Sequence, residues 1–168
     1  MNKSVYEEIK NNTFIINLKR DTLKKKIFLT NNNHIDFNFK FIEGVDGNND
    51  KKCKNFFKFR KRYFHNECQI AYILSYFKVL EEAKKSNGEY ILILDDDVVF
   101  HKNFEEEFMK LKIPDFKYLR LGTSGKKSIL DLYYKHREKT NVMISIPNIY
   151  GSFASIIKKD FIDEFINM

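Results

Sequence analysis

The run Tyr90-Ile91-Leu92-Ile93-Leu94 leads without a break into Asp95-Asp96-Asp97, and few folds accommodate that junction. Five apolar residues with no polar alternation read as a strand buried on both faces, as in the middle of a parallel sheet. Three adjacent carboxylates repel one another, and desolvation at a strand end worsens the repulsion unless something compensates it. In open α/β sheets, ligands sit beyond the carboxyl ends of the strands, where this triplet falls.

The flanking chain supports that reading. Thr13-Phe14-Ile15-Ile16-Asn17-Leu18 is a second apolar, β-branched run, followed by Asp21 or Thr22 as a helix cap and by Leu23, Ile27 and Phe28 on one helical side. A strand from Phe37 to Ile42 ends in Glu43-Gly44-Val45-Asp46-Gly47-Asn48-Asn49-Asp50, a turn signal. A long helix starts near Asn66, with Gln69 at capping-box spacing and Ile70, Ile73, Leu74, Phe77 and Leu80 as its apolar stripe. Asn87-Gly88 is the expected end of this helix. A short helix at Phe104 to Leu111, strands at Tyr118 to Leu121, Val142 to Ile146 and Ser152 to Ile157, and a helix at Phe161 to Ile166 complete the pattern. Strand and helix alternate, which predicts one α/β domain over residues 1–168, with a mostly parallel central sheet flanked by helices.

In extended backbone, residues i and i+2 point the same way, so Asp95 and Asp97 are placed to face one cation. Asp96 then turns toward the helix side or bonds backbone amides. Mg²⁺ and Mn²⁺ favour such oxygen ligands and commonly complete their shell with substrate phosphates. An Asp-rich turn that ends the strand and caps Val98 onward is the bland alternative. An aspartyl-phosphate phosphatase needs a Thr where Val99 stands. Gly122-Thr123-Ser124-Gly125-Lys126-Lys127-Ser128 lacks the spacing of a phosphate-binding loop and reads as a lysine-bearing loop.

Composition excludes several classes. The chain of 168 residues is 43% hydrophobic and 15% aromatic, enough for a core and too apolar for wholesale disorder. Two cysteines, Cys53 and Cys68, cannot build a disulfide framework, and His65 with Cys68 lacks the further partners zinc requires. Neither a secretory leader nor an apolar run long enough for a bilayer is present, so the expectation is a soluble, cytoplasmic chain with room for peripheral membrane contact. Thirty basic residues against 23 acidic ones give a formal net charge of +7 and suggest a phosphate-bearing partner. The cations concentrate from Lys51 to Arg62, interleaved with Phe56, Phe57 and Phe59. That segment fits an anionic membrane or a phosphorylated glycan. No nucleic-acid motif accompanies it, so nucleic acid is not the expected partner.

Several motifs in order resemble glycosyltransferase family 25, the lipooligosaccharide and collagen galactosyltransferases. Phe14-Ile15-Ile16-Asn17-Leu18-Lys19-Arg20 is similar to the family's Asn-Leu-x-Arg signature, with Lys24 at a second basic position. Phe41-Ile42-Glu43-Gly44-Val45-Asp46-Gly47 resembles its strand ending in Val-Asp-Gly, and Ile91 to Val98 its Leu-Ile-Leu-Glu-Asp-Asp-Val core. Leu121-Gly122 and Tyr150 to Ile157 resemble later segments. Departures are Ala71-Tyr72 for Gly-Cys, Ser75-Tyr76 for Ser-His, and Asp95 for Glu. The chain also stops at Met168, where family members usually continue, so the family's C-terminal segment is expected to be missing.

The resemblance implies a GT-A-like nucleotide-sugar-binding fold and a metal-dependent, inverting transferase that moves a sugar, galactose first, from a UDP-sugar to a glycan or protein hydroxyl. It implies Mn²⁺ or Mg²⁺ on Asp95 and Asp97, with Asp96 in support, and Asn17, Arg20, Lys24 and Asp46 around the donor. Asp131, Asp160, Asp163 and Glu164 are available as general base, with no ground for choosing among them. The alternatives are a degenerate, non-catalytic relative or a basic module for nucleic acid or an anionic surface.

Overall fold

A computed structural model describes residues 2–60, 66–111, 113, 115–121 and 154–167. In chain order the described elements are α1 (Asn2–Asn11), β1 (Thr13–Asn17), α2 (Thr22–Asn31), β2 (Phe39–Glu43), α3 (Lys51–Arg60), α4 (Glu67–Lys84), β3 (Tyr90–Asp95), α5 (Phe104–Lys110), β4 (Tyr118–Arg120), β5 (Ala154–Lys158) and α6 (Phe161–Asn167). The five strands form one sheet in the order β2-β1-β3-β5-β4, which places β3 at its centre as expected.

The sheet is mixed, which corrects the mostly parallel expectation. Strands β2, β1 and β3 run parallel, while β5 is antiparallel to both β3 and β4. The apolar pattern at Ser152 to Ile157 reports a buried strand but is the same read in either direction, so it carried no information on polarity.

Period-two alternation divides the core into two layers. Ile15, Leu92, Leu94 and Ile156 face α1, α2 and α5, with Tyr6, Phe28, Phe37, Phe100 and Phe108 around them. Phe14, Ile16, Ile91, Ile93 and Ile157 face α4 and α6, against Tyr76, Val79, Leu80, Ala83 and Ile162. Apolar side chains on both faces explain why the central strand reads as a continuous run.

The expected helix faces shift in two places. On α4 the buried residues are Ile70, Ala71, Ser75, Tyr76, Val79, Leu80 and Ala83, while Ile73 is exposed. Its first turns pack on Cys53 of α3 and its later turns on the sheet, so small residues at the contacts decide the face. On α2 only Phe28 is buried; Leu23 and Ile27 point to solvent.

The Asn66 cap stands as read, its side chain accepting from the Gln69 amide at 3.1 Å. The helix stops at Lys84, however, and Gly88 takes its left-handed conformation (φ 96°) in the turn to β3 rather than at the helix end. The basic run as far as Arg60 is the helix α3, held by the buried Cys53 and half-buried Phe57, and its last two residues lie outside the described ones. The expected strand at Val142 to Ile146 and the loop from Gly122 lie outside the described residues. No helix among the described residues is long and apolar enough to cross a membrane.

Candidate functional site

Strand register brings the expected residues together. Ile16 stands opposite Asp95, and Asn17 opposite Glu43, so β2, β1 and β3 end side by side. Adjacent strands lie about 5 Å apart, which packs the three turns beyond these ends into one small region. There a cleft of about 260 Å³ is lined by Arg20 and Lys24, by Asp46, and by Asp95, Asp96 and Asp97, with Tyr72, Ser75 and Cys68 of α4 as its wall. A neighbouring cleft of about 530 Å³ shares Arg20 and Asp46 and extends past Lys19, Asp50 and Lys78.

The three carboxylates have different surroundings. Asp96 is only 11% exposed at its side chain. Its Oδ2 accepts from Asn17 Nδ2 at 2.7 Å, and Lys24 Nζ lies 3.4 Å from Oδ1. Side chains rather than backbone amides therefore hold it. Asn17 itself does not line the cleft; its amide also donates to the Asp21 carbonyl at 3.2 Å.

Asp95 is the last residue of β3, and the chain turns after it, with the Val98 amide donating back to its carbonyl at 3.3 Å. Burial, then the charges of Asp97 and Asp96, push its carboxyl up to about 7, against the lowering effects of a Tyr72 hydrogen bond and of Lys24. Asp97 is exposed. None of the ion pairs among the described residues involves Asp95 or Asp97.

Arg20 pairs with Asp46. Asp46 in turn organises its own turn, accepting from Asn49 Nδ2 at 2.7 Å and from the Asn48 amide at 3.1 Å. The buried Ser75 hydroxyl fastens this turn to α4, accepting from the Val45 amide and donating to the Ala71 carbonyl, each at 2.7 Å. Gly47 is required by close approach: a Cβ there would stand 2.8 Å from the Glu67 carbonyl oxygen and 2.9 Å from Cys68 Cα.

Sequence reasoning treated Tyr72 only as a departure and read Ser75 and Tyr76 as part core, part pocket wall; Ser75 lines the cleft and Tyr76 is buried against the sheet. The available signal was their place on α4, since Tyr72 falls one turn from Cys68 and one from Tyr76 on the rim of the buried face.

The candidate bases separate from this site. Tyr90, at the start of β3, pairs with Lys158 at the end of β5, five residues before Asp95. Asp160, Asp163 and Glu164 follow Lys158, roughly 17 Å from the triplet along the strand axis. There Asp163 pairs with Lys84 and Glu164 with Lys117. Asp131 lies outside the described residues.

Among the described residues no group of three or more His, Cys, Asp or Glu side chains is placed to hold a metal ion by itself. Asp95 and Asp97 offer two hard oxygen donors that join no ion pair among the described residues, and Lys24 offsets the repulsion at Asp95 only in part, a donor chemistry that suits Mg²⁺ or Mn²⁺ shared with a phosphate group.

A family model described as glycosyltransferase family 25 (LPS biosynthesis protein) matches residues 10–154. The chain belongs to glycosyltransferase family 25. No curated protein matches it. The matched span contains Asn17, Arg20, Lys24, Asp46 and the whole acidic triplet, so the family 25 assignment covers every residue that lines or supports the cleft described above. Membership makes the protein a glycosyltransferase by family, with a sugar donor and an acceptor as its substrates.

Proposed function

We propose that this glycosyltransferase uses a UDP-sugar, with galactose as the first candidate sugar, and transfers it with inversion to a hydroxyl of a glycan or protein. The observation that carries the reading is the meeting of three carboxylates with Arg20 and Lys24 in one cleft at the carboxyl ends of three parallel strands. Asp95 and Asp97 would hold Mn²⁺ or Mg²⁺, and that ion would supply neutralisation of the charge on the departing diphosphate.

The chain's own groups prepare the site. Asn17 and Lys24 fix Asp96, which keeps the turn after β3 in place and leaves Asp95 and Asp97 toward the cleft. Tyr72 orients Asp95 through its hydrogen bond. Arg20, tied to Asp46, and Lys24, beside Asp96, put positive charge in the cleft, where they would meet phosphate oxygens of the donor.

Release of UDP from a panel of UDP-sugars tests the reading. Consumption of UDP-galactose is expected with Mn²⁺, and Asp97→Asn should lower it at least ~100-fold, the scale of losing one transition-state electrostatic contact. Consumption that proceeds equally in the presence of a chelator, or no consumption of any UDP-sugar, contradicts it.

A further inference from the structure

The helix α2 turns the wrong residues outward for a surface helix. Leu23 is 67% exposed and Ile27, one turn later, 49%; Leu29 is 42% exposed and only Phe28 is buried. The pair Leu23 and Ile27 brackets three consecutive lysines. Lys24 reaches Asp96, Lys25 lies 4.4 Å from the centre of the Phe41 ring, and Lys26 joins no ion pair among the described residues.

The helix α3, packed on α4, presents a second cationic surface. Its inner side is taken by Cys53 and Phe57. Lys51, Lys52, Lys54 and Lys58 are exposed, and none of them pairs with a carboxylate among the described residues. Residues 51–62 hold seven lysines and arginines and no acidic residue, a charge equal to the net +7 of the whole chain. Phe56 stands 48% exposed beside them. Because α2 follows β1 and α3 follows β2, and these strands run parallel, both helices begin at the carboxyl edge of the sheet.

We propose that these two helix faces dock the protein on an anionic lipid bilayer, with Leu23 and Ile27 entering the interface and the lysines of α2 and α3 meeting the headgroups. Aliphatic side chains set among lysines are the composition of a helix lying in a bilayer interface. A nucleic acid would use the cations but leave Leu23 and Ile27 without a role, whereas an anionic bilayer uses both. The proposed contact is peripheral; no described helix is long and apolar enough to cross a membrane. Docking goes beyond the transferase reading and is tested without it.

Co-sedimentation of the full chain with vesicles decides the matter, comparing phosphatidylcholine alone with an equal mixture of phosphatidylcholine and phosphatidylglycerol. Binding to the anionic vesicles should be at least ~10-fold tighter and should weaken as salt screens the lysines. Leu23→Asp with Ile27→Asp should cut that binding at least ~10-fold at an unchanged thermal midpoint, because both side chains are exposed. Lys51→Glu, Lys54→Glu and Lys58→Glu together should remove most of the salt dependence. Equal binding to neutral vesicles overturns the proposal. So does a lowered thermal midpoint in the Leu23/Ile27 variant, which would mean the protein itself covers the pair. Self-association without lipid that this variant abolishes assigns the face to a second copy. Tighter binding to a homopolymeric RNA than to the anionic vesicles assigns the cations to nucleic acid.

Discussion

Asp95 is where the cost of the site is concentrated. Its carboxyl is pushed up to about 7 by burial and by two neighbouring aspartates, well above the unfolded carboxylate value near 4. The folded state therefore binds this proton more tightly than the unfolded chain does. Its contribution to stability is full below the unfolded value and is lost as pH rises through about 7. Asp95→Asn keeps an acceptor for Tyr72 and removes the charge. Urea titrations of the metal-free protein should show the variant gaining on the wild type at pH 8 and gaining little at pH 5. A variant destabilised equally at both pH values would mean that the Asp95 charge is already compensated. The same substitution should weaken Mn²⁺ binding, because Asp95 is one of the two proposed ligands. Asp96 shows the contrast, for Asn17 and Lys24 satisfy it inside the protein. The triplet's position could be read from the sequence because a strand end is marked by composition. The division of labour within it could not, because partners 79 and 72 residues distant in sequence decide it.

At the scale of elements, small polar side chains set the site's geometry. Asn32 is 1% exposed and joins the end of α2 to the segment after the triplet. Its Nδ2 donates to the Phe28 carbonyl at 3.0 Å and the Val98 carbonyl at 2.9 Å, and its Oδ1 accepts from the Phe100 amide at 2.8 Å. Asn32→Ala strands these buried groups and should cost about 2–3 kcal/mol in chemical denaturation. A cost below about 0.5 kcal/mol would mean water replaces the side chain at no penalty. Nothing in the sequence marks Asn32 among its neighbours Asn31 and Asn33, because its role depends on burial. The helix α1 was likewise missed, although Val5, Tyr6 and Ile9 carry a helical spacing, since they lie within a polar, charged stretch. On α2 the apolar spacing was visible, but spacing alone does not say whether a face meets the core or solvent. The Val45-Asp46-Gly47 turn was legible as a turn; its clasp by Ser75 is a tertiary contact over 30 residues.

For the whole molecule, β3 carries both the core and the site. Leu92 is fully buried between β1 and β5. Leu92→Asp places an unpaired charge there at a cost of several kcal/mol, enough to consume most of a marginal stability of about 5–15 kcal/mol. The expected result is loss of the cooperative thermal transition. A soluble variant with a cooperative transition near the wild-type midpoint would contradict β3 as the central strand. The central place of β3 was legible in its continuous apolar run, whereas the direction of β5 was not, which is why a mixed sheet was read as mostly parallel. The central claim remains that the carboxylates at the end of β3 and the diphosphate of a sugar nucleotide require a cation between them. Calorimetry of UDP binding with and without Mn²⁺ tests it most directly. The account predicts binding at least ~10-fold tighter with Mn²⁺, a difference of about 1.4 kcal/mol that Asp97→Asn abolishes while the thermal midpoint holds. Equal UDP affinity with and without Mn²⁺, or a folded protein that binds no UDP, would contradict it.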